Sequence, residues 1–213
     1  MPDFKIFYRG NLPHWQPPGA TLFFTWRLHG SLPRETLTRL AEEHRRIDRE
    51  PPREDESERD RAIRHDKILF AMMDEALDRP TTGPLWLKDD RLAKIVTDAF
   101  FHHDGVLYNL FAFVVMANHA HLLLRPKEVE PTFQSAGSGS KAAATFVPIS
   151  RITQSLKGYT SRECNHILGR TGHPFWQHES YDHWARDERE LTRIWEYIEG
   201  NPVKAGLTAK PEA

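Results

Sequence analysis

Two histidines lie one residue apart in the apolar stretch FAFVVMANHAHLLLRP, which runs from Phe111 to Pro126. In a β-strand, residues i and i+2 point to the same side, so the imidazoles of His119 and His121 would project together. Two neutral imidazoles placed in this way can bind one divalent cation or contact one phosphate oxygen. The alternative is a pair of core histidines that hydrogen-bond to backbone carbonyls. Burying two imidazoles without partners is costly, which favours the functional interpretation.

A tyrosine and a glutamate follow in a segment, residues 150–169, that is predicted to be a helix with Ser150 as its cap. Helical spacing places on one stripe Ile152, Leu156, Tyr159, Glu163 and Ile167. A carboxylate rarely lies unpaired in such a stripe. If the stripe packs over the face that carries the histidines, Glu163 joins them in a mixed nitrogen and oxygen site for a divalent cation, with Tyr159 within reach.

The other segments predict an α+β protein with helices packed on a small sheet. A strand is expected at 20–30, and a second apolar region, 107–126, predicts either a strand pair or one kinked strand. Further helices are expected at 33–50, 66–78, 88–105 and 187–200. Asp89 or Asp90 can cap the third of these, and Asp187 with Glu190 resembles a capping box at the start of the fourth. The charge-dense segment 51–65 is expected to be a break that holds a solvated helix start. Residues 127–149 are rich in Ser, Gly and Ala, which favours a flexible connection.

Composition limits the possible functions of the 213 residues. The formal charge is −1, so any nucleic-acid binding must come from a local patch of charge. The single cysteine, Cys164, excludes an intramolecular disulfide and a cysteine-rich zinc site. We find no signal-peptide pattern and no apolar run of membrane-spanning length, so we expect a cytoplasmic protein without membrane association.

Three stretches resemble a known family. MANHAHLLLRP resembles the M-P-N-H-hydrophobic-H signature of single-tyrosine HUH transposases, and the nearest branch is the REP-associated tyrosine transposase-like proteins of bacteria. SLKGYTSRECN resembles the tyrosine helix of that family. The run from HPFWQ to NPVKAGL resembles its C-terminal F-W-Q…Y-I-x-x-N-P-V-K-A-G-L region and is the most specific of the three.

The resemblance implies a fold and a set of site residues. The fold would be a ferredoxin-like or RRM-like antiparallel sheet with packed helices and a C-terminal helical extension. It would form one domain over 1–213, with a helical insertion at about 33–80 and the flexible connection at about 127–149. The family's metal-binding histidines fall on His119 and His121, its nucleophile on Tyr159, and its third ligand on Glu163, where many members carry a neutral amide.

The implied activity is that of a metal-dependent single-stranded DNA endonuclease and strand transferase. With Mg²⁺ or Mn²⁺, it would form a 5′-phosphotyrosine intermediate on hairpin or palindromic DNA, as a monomer or as a homodimer that exchanges tyrosine helices. Candidate contacts to DNA are Arg151, Lys157, Arg162 and Trp176. A solvated helix face for the three cations, and a core position for Trp176, are the alternatives.

Three other interpretations remain open from the sequence. The first is a domesticated, catalytically silent nucleic-acid-binding protein. The second is a metal-dependent phosphoesterase that uses water. The third is a zinc site formed by His173, His178 and His183, although their spacing of five fits no established zinc motif.

Overall fold

The computed structural model describes residues 7–9, 13–129 and 145–204, without the side chains of 7–9 and 13–15. Its helices are α1 (Arg34–Arg49), α2 (Glu58–Asp78), α3 (Asp90–His102), α4 (Ile149–Ile167) and α5 (Glu188–Lys204). Its strands are β1 (Phe7–Arg9), β2 (Pro13–Trp15), β3 (Leu22–Arg27), β4 (Tyr108–Val115), β5 (His119–Pro126), β6 (Glu128–Val129), β7 (Thr145–Phe146) and β8 (Tyr181–Trp184).

The centre of the fold is a four-stranded antiparallel sheet with the strand order β4-β5-β3-β8. Along the chain, α3 precedes β4, and α4 joins β5 to β8, which gives the ferredoxin-like arrangement of two helices on one face. This confirms the predicted α+β class. The region 107–126 is a strand pair, β4 with β5, rather than one kinked strand.

The two faces of the sheet are covered by different helices. Residues at even positions of β3 and β5 pack with α3 and α4 in the larger core, which includes Phe24, Trp26 and Leu122. Residues at odd positions of the same strands pack with α2 and α5 in a second core, which includes Phe23 and Leu123. Because strand side chains alternate, each residue of β5 belongs to one of these two layers only.

The helix ends follow the predicted capping with one exception. Asp89 caps α3 by accepting a hydrogen bond from the amide of Arg91, and Asp187 accepts one from the amide of Glu190 at the start of α5. In contrast, α4 begins at Ile149 after Pro148 and has no side-chain cap, so the prediction for Ser150 is wrong. Helix α2 begins at Glu58, inside the charge-dense segment 51–65 expected to hold a solvated helix start.

The segment predicted to be a flexible connection is described only at its ends. Residues 128–129 and 145–146 pair as the antiparallel strands β6 and β7. Residues 130–144 lie outside the described part of the chain. Among the described residues, no helix combines the length and the apolar character that crossing a bilayer requires.

A buried glutamate on α5 links this helix to α2 and β8 in the second core. The carboxylate of Glu190 on α5 accepts hydrogen bonds from Lys67 of α2 at 2.8 Å, from His183 of β8 at 3.0 Å and from Arg186 at 2.8 Å. Burial alone would raise the pKa of Glu190, but the hydrogen bonds from Arg186, Lys67 and His183 outweigh it and lower that pKa below its ordinary range.

We therefore expect Glu190→Gln to lower the unfolding free energy at neutral pH by about 3 kcal/mol, because it leaves buried donors without a charged partner. The native carboxylate has a depressed pKa, so its contribution is present above the ordinary value of 4.5 and is lost as pH falls below it. Urea unfolding at several pH values measures this. The deficit of the variant should shrink below pH 4.5, and the exposed Glu188→Gln is the control. A deficit that is the same at all pH values would contradict the assignment.

Candidate metal and phosphoryl-transfer site

The histidine pair lies on β5 in the middle of the sheet. Antiparallel pairing sets His121 opposite Thr25 and His119 opposite Arg27 on β3. Both imidazoles are completely buried, and they face the layer formed by α2 and α5. Their Nε2 atoms are 3.1 Å apart. The predicted projection of the two side chains to one side is confirmed.

The tautomer of His119 follows from its neighbours. The amide nitrogen of Asn118 donates to the carbonyl of Leu77 at 3.0 Å, so the amide oxygen is the atom that lies 2.7 Å from Nδ1 of His119. An amide oxygen only accepts hydrogen bonds, so Nδ1 of His119 carries the proton. Nε2 of His119 therefore presents a lone pair to its neighbour.

That lone pair can bind either a proton donated by His121 or a cation, and the tautomer of His121 differs between the two cases. Its Nδ1 lies 2.8 Å from the hydroxyl of Thr25, a group that can donate or accept. Without a cation, Nε2–H of His121 donates to His119 and the Thr25 hydroxyl donates to Nδ1. With a cation between the Nε2 atoms, His121 takes the other tautomer and donates from Nδ1 to Thr25.

A carboxylate and a phenol complete the site. Oδ1 of Asp74, on α2, is 3.5 Å from Nε2 of His121. The hydroxyl of Tyr197, on α5, donates to the same Oδ1 at 2.5 Å and lies 3.3 Å from Nε2 of His121. In the described part of the chain, Asp74, His119 and His121 are the one group of three such side chains whose ligand atoms lie close enough to share a metal ion.

Burial shifts the pKa of each group in the direction that favours its neutral form. Burial, together with the charge of Lys204, lowers the pKa of His119 to about 3. Burial is also the main cause that lowers the pKa of His121, and it raises the pKa of Asp74. Burial and the neighbouring Asp74 raise the pKa of Tyr197. Both imidazoles are therefore neutral at pH 7, the form in which histidine binds metals.

Two more residues of α5 border the site. Asn201, one helical turn after Tyr197, is buried, and neither atom of its amide has a hydrogen bond of good geometry to any residue that the structure describes. The amide is nevertheless close enough to the Tyr197 hydroxyl to lower its pKa against the other effects. The ammonium of Lys204 lies 3.5 Å from Asp74 and 2.5 Å from Asp78, and its side chain is about half exposed.

This donor set fits a divalent cation. Two ligands that bind one metal at roughly 2.0–2.1 Å, at angles between 90° and 110°, are themselves roughly 2.8–3.4 Å apart. The observed 3.1 Å between the Nε2 atoms agrees with this spacing. Each imidazole is held through its other nitrogen, and Asp74 supplies an oxygen. The cluster could therefore hold a divalent metal.

The structure does not bring Tyr159 and Glu163 to the histidines. Helix α4 packs in the other layer, where its buried positions are Ile152, Leu156, Thr160, Cys164 and Asn165. Tyr159 is 45% exposed, and Glu163 pairs with Arg162 at the surface. The expectation that α4 covers the histidine face is thus corrected. Its buried stripe is rotated from the predicted one, because the small residues Thr160 and Cys164 pack into the core.

The four residues predicted to contact DNA lie in the layer of α4, and one of them is buried in the core. Trp176 is buried, and its Nε1 donates to Thr160, so its ring is a core element and cannot stack on a base. Lys157 donates to the carbonyls of Gln177 and His178. Arg162 bonds to Glu163, and Arg151 is exposed on α4. All four lie away from the histidine face.

The alternative zinc site is not formed in the described part of the chain. His183 is buried and bonded to Glu190, whereas His173 and His178 are exposed in the segment before β8. No group of three metal-binding side chains that includes any of these histidines is found among the described residues.

Sequence reasoning missed Asp74, Tyr197 and Asn201. A usable signal existed for two of them. The resemblance requires a tyrosine followed one helical turn later by a polar ligand, commonly a neutral amide. Tyr197 and Asn201 meet this requirement within the YIEGNPVK run, as Tyr159 and Glu163 do within α4. No comparable signal pointed to Asp74, because nothing in the sequence pairs α2 with β5.

Known proteins offer only distant comparisons. No protein-family model and no curated protein matches the sequence. Among solved structures, a REP-associated tyrosine transposase bound to a REP hairpin is 16% identical, covering 95% of this chain and 75% of that chain at a TM-score of 0.42. A putative transposase from Deinococcus radiodurans R1 is 15% identical, covering 85% of this chain and 89% of that chain at a TM-score of 0.30. Likenesses this distant assign neither a family nor an activity.

The geometry predicts how Thr25 affects metal binding. Thr25→Val removes the acceptor that the cation-bound tautomer of His121 needs, so we expect Mn²⁺ affinity to fall by about 10–100-fold. His121→Ala should abolish binding. Isothermal titration calorimetry with Mn²⁺ measures both, and Thr153→Val on α4 is the matched control. Unchanged affinity in Thr25→Val, or binding that survives His121→Ala, would contradict the site.

Proposed function

We propose that this protein is a metal-dependent single-stranded DNA endonuclease and strand transferase in which Tyr197 is the nucleophile. The observation that carries the proposal is the position of the Tyr197 hydroxyl, 3.3 Å from Nε2 of His121 and 2.5 Å from the carboxylate of Asp74. A phenol next to a candidate metal site can attack a phosphate that the metal polarises.

The assignment of Tyr197 also satisfies the pattern that the family resemblance implies. The tyrosine is followed one turn later by Asn201, a neutral amide whose atoms have no good hydrogen bond within the described part of the chain. An unpaired buried amide is costly, and a metal ion or a phosphate would provide its partner. The role of third ligand, expected at Glu163, moves in this proposal to Asp74 and Asn201, since Glu163 lies at the surface of the other layer.

Each side chain of the site has a part in the proposed reaction. A divalent cation held by His119, His121 and Asp74 would polarise a non-bridging oxygen of the scissile phosphate. Tyr197 lies between Asp74 and His121, and its hydroxyl is oriented by the hydrogen bond to Oδ1 of Asp74. Oδ1 is placed to take the phenolic proton as the oxygen attacks phosphorus.

The proposed reaction conserves the energy of the phosphodiester bond in the covalent intermediate. The Tyr197 oxygen forms a bond to phosphorus, the bond from phosphorus to the 3′ oxygen breaks, and the proton released by the phenol is balanced by the proton that the 3′ hydroxyl gains. The product is a 5′-phosphotyrosine, and a 3′ hydroxyl can reverse the step and join DNA. No nucleotide cofactor is needed. Lys204, with its half-exposed ammonium beside Asp74, is placed to offset the charge of the phosphate.

Access to the site favours a strand over a compact substrate. The imidazoles are fully buried, whereas Tyr197 is only partly buried and Lys204 reaches solvent. A phosphate must therefore approach along α5, past the phenol. An extended single strand can present a backbone phosphate in this way. We propose hairpin or palindromic DNA as the source of that strand, as the family resemblance implies.

The choice of nucleophile is tested by two matched variants. After incubation with hairpin DNA and Mn²⁺, we expect a covalent adduct in the wild-type protein and in Tyr159→Phe, and no adduct in Tyr197→Phe. Mass spectrometry of the denatured protein measures the added nucleotides. An adduct lost in Tyr159→Phe would return the role to α4. No adduct in any protein would favour the silent DNA-binding alternative, and DNA cleavage retained by Tyr197→Phe would favour hydrolysis by water.

The role of Asp74 is tested by kinetics. Asp74→Asn keeps the size of the side chain but cannot take the phenolic proton, and it is also a weaker metal ligand. At saturating Mn²⁺ we therefore expect adduct formation to slow by about 10²–10⁴-fold. DNA affinity should change little, because Asp74 is buried beneath Tyr197. Single-turnover assays and fluorescence anisotropy measure the two quantities. Glu75→Gln, at an exposed position of the same helix, is the control. A rate within threefold of wild type would exclude Asp74 as proton acceptor.

A further inference from the structure

A cavity of about 640 Å³ opens beside the site, on the same side of the sheet. We call it the α1 cavity. Its walls come from β3 and the residues that follow it (29–32), from α1 and α2, and from the segment 177–181, which includes the carboxylate of Glu179. Thr25, whose hydroxyl contacts His121, forms part of the wall, so the cavity and the metal site share a side chain.

Aromatic rings separate the cavity from the nucleophile. Phe70 lines the cavity, and its ring centroid is 6.2 Å from that of Tyr197. On its other side, Phe70 stacks on Tyr181 with centroids 4.2 Å apart, and Tyr181 also lines the cavity. A flat group that enters the cavity would therefore meet an aromatic wall next to the site of attack.

Helix α1 covers the cavity without filling it. Ile47 is the one residue of this helix that is buried, and Leu37, which lines the cavity, is 43% exposed. Leu40 and Ala41 face the same space from the next turn. Apolar side chains along an open cavity gain contacts when a ligand occupies it, so the loose packing of α1 fits a wall of a binding site.

One cation lies within this mostly apolar space. Arg27 of β3 lines the cavity, and burial lowers its pKa to about 10 against the opposing charge of Glu179. Its guanidinium remains charged at neutral pH. In the described part of the chain, no acceptor forms a hydrogen bond with this guanidinium. It therefore offers a planar set of N–H donors to a ligand.

We propose that the α1 cavity binds an unpaired guanine base of the DNA strand that Tyr197 attacks, with Arg27 donating to its O6 and N7 atoms. This inference rests on the proposed function. Guanine is the base that presents two adjacent acceptors to a guanidinium. Phe70, which is only partly buried and lines the cavity, supplies the aromatic surface for a base taken out of its stack. The cavity would thus select where the strand is cut.

The experiment measures the affinity of full-length Tyr197→Phe, which cannot cleave, for labelled oligonucleotides in Mn²⁺. The probes are a thirteen-nucleotide thymine strand and the same strand with one central guanine or one central 7-deazaguanine, which lacks the N7 acceptor. We expect guanine to bind about tenfold tighter than thymine and 7-deazaguanine to lose most of that gain.

Two cavity substitutions and one control substitution are each combined with Tyr197→Phe. Arg27→Met removes the donors, and Ala41→Phe fills the cavity from a helix position that is otherwise exposed. Each should abolish the guanine preference while thymine binding stays within about threefold. Arg39→Met, an exposed residue on α1 outside the cavity, should keep the preference. Equal affinity for the three probes, or a preference that survives both cavity variants, would overturn the inference.

The outcome distinguishes the guanine-binding proposal from the endonuclease proposal on which it rests. If wild-type protein forms the Tyr197 adduct but shows no guanine preference, the cavity assignment fails and the endonuclease proposal stands. If none of the strands binds and no adduct forms, both fail together. Circular dichroism of each variant checks that a lost preference does not come from unfolding.

Discussion

The site depends on two buried, neutral imidazole rings whose Nε2 atoms lie 3.1 Å apart. Burial disfavours protonation, because a charged imidazole here would lose its hydration. Asn118 fixes the lone pair of His119, so the pair must share either a proton or a cation. A protein that only packed these side chains would not need this arrangement, since each ring could bond to the backbone instead.

Strand register creates that constraint, and the helix layers complete it. The antiparallel pairing of β5 with β3 sets Thr25 opposite His121, and strand alternation turns both histidines towards α2 and α5. Asp74 then comes from α2 and Tyr197 from α5. The Glu190 cluster joins the same two helices to β8. The Glu190 network therefore stabilises the layer that carries Asp74 and Tyr197.

The sequence predicted what is local and missed what is tertiary. The spacing of His119 and His121 was enough to place them together, and capping residues located α3 and α5. The choice between two tyrosines was not local. Tyr159 with Glu163 and Tyr197 with Asn201 have the same spacing, and only the packing of their helices distinguishes them. Periodicity misled at α4, because Thr160 and Cys164 are small enough to enter the core while Tyr159 turns outward.

The inserted position of α1 and α2 gives this chain features that the resemblance did not imply. Both helices fall within 33–80, the span expected to be an insertion. Helix α2 supplies Asp74 and Phe70, and α1 walls the cavity beside them. The segment therefore has a part in the proposed chemistry and in the proposed selection of the strand, beyond its part in the core.

The central claim is that a cation and the Tyr197 phenol meet at the histidine pair. A crystal soaked with Mn²⁺ and measured at the manganese absorption edge tests it directly. We predict an anomalous peak within about 2.4 Å of Nε2 of both His119 and His121, with the Tyr197 oxygen directed towards it. A peak elsewhere, no peak at this site, or a Tyr197 side chain turned away from the metal would contradict the account.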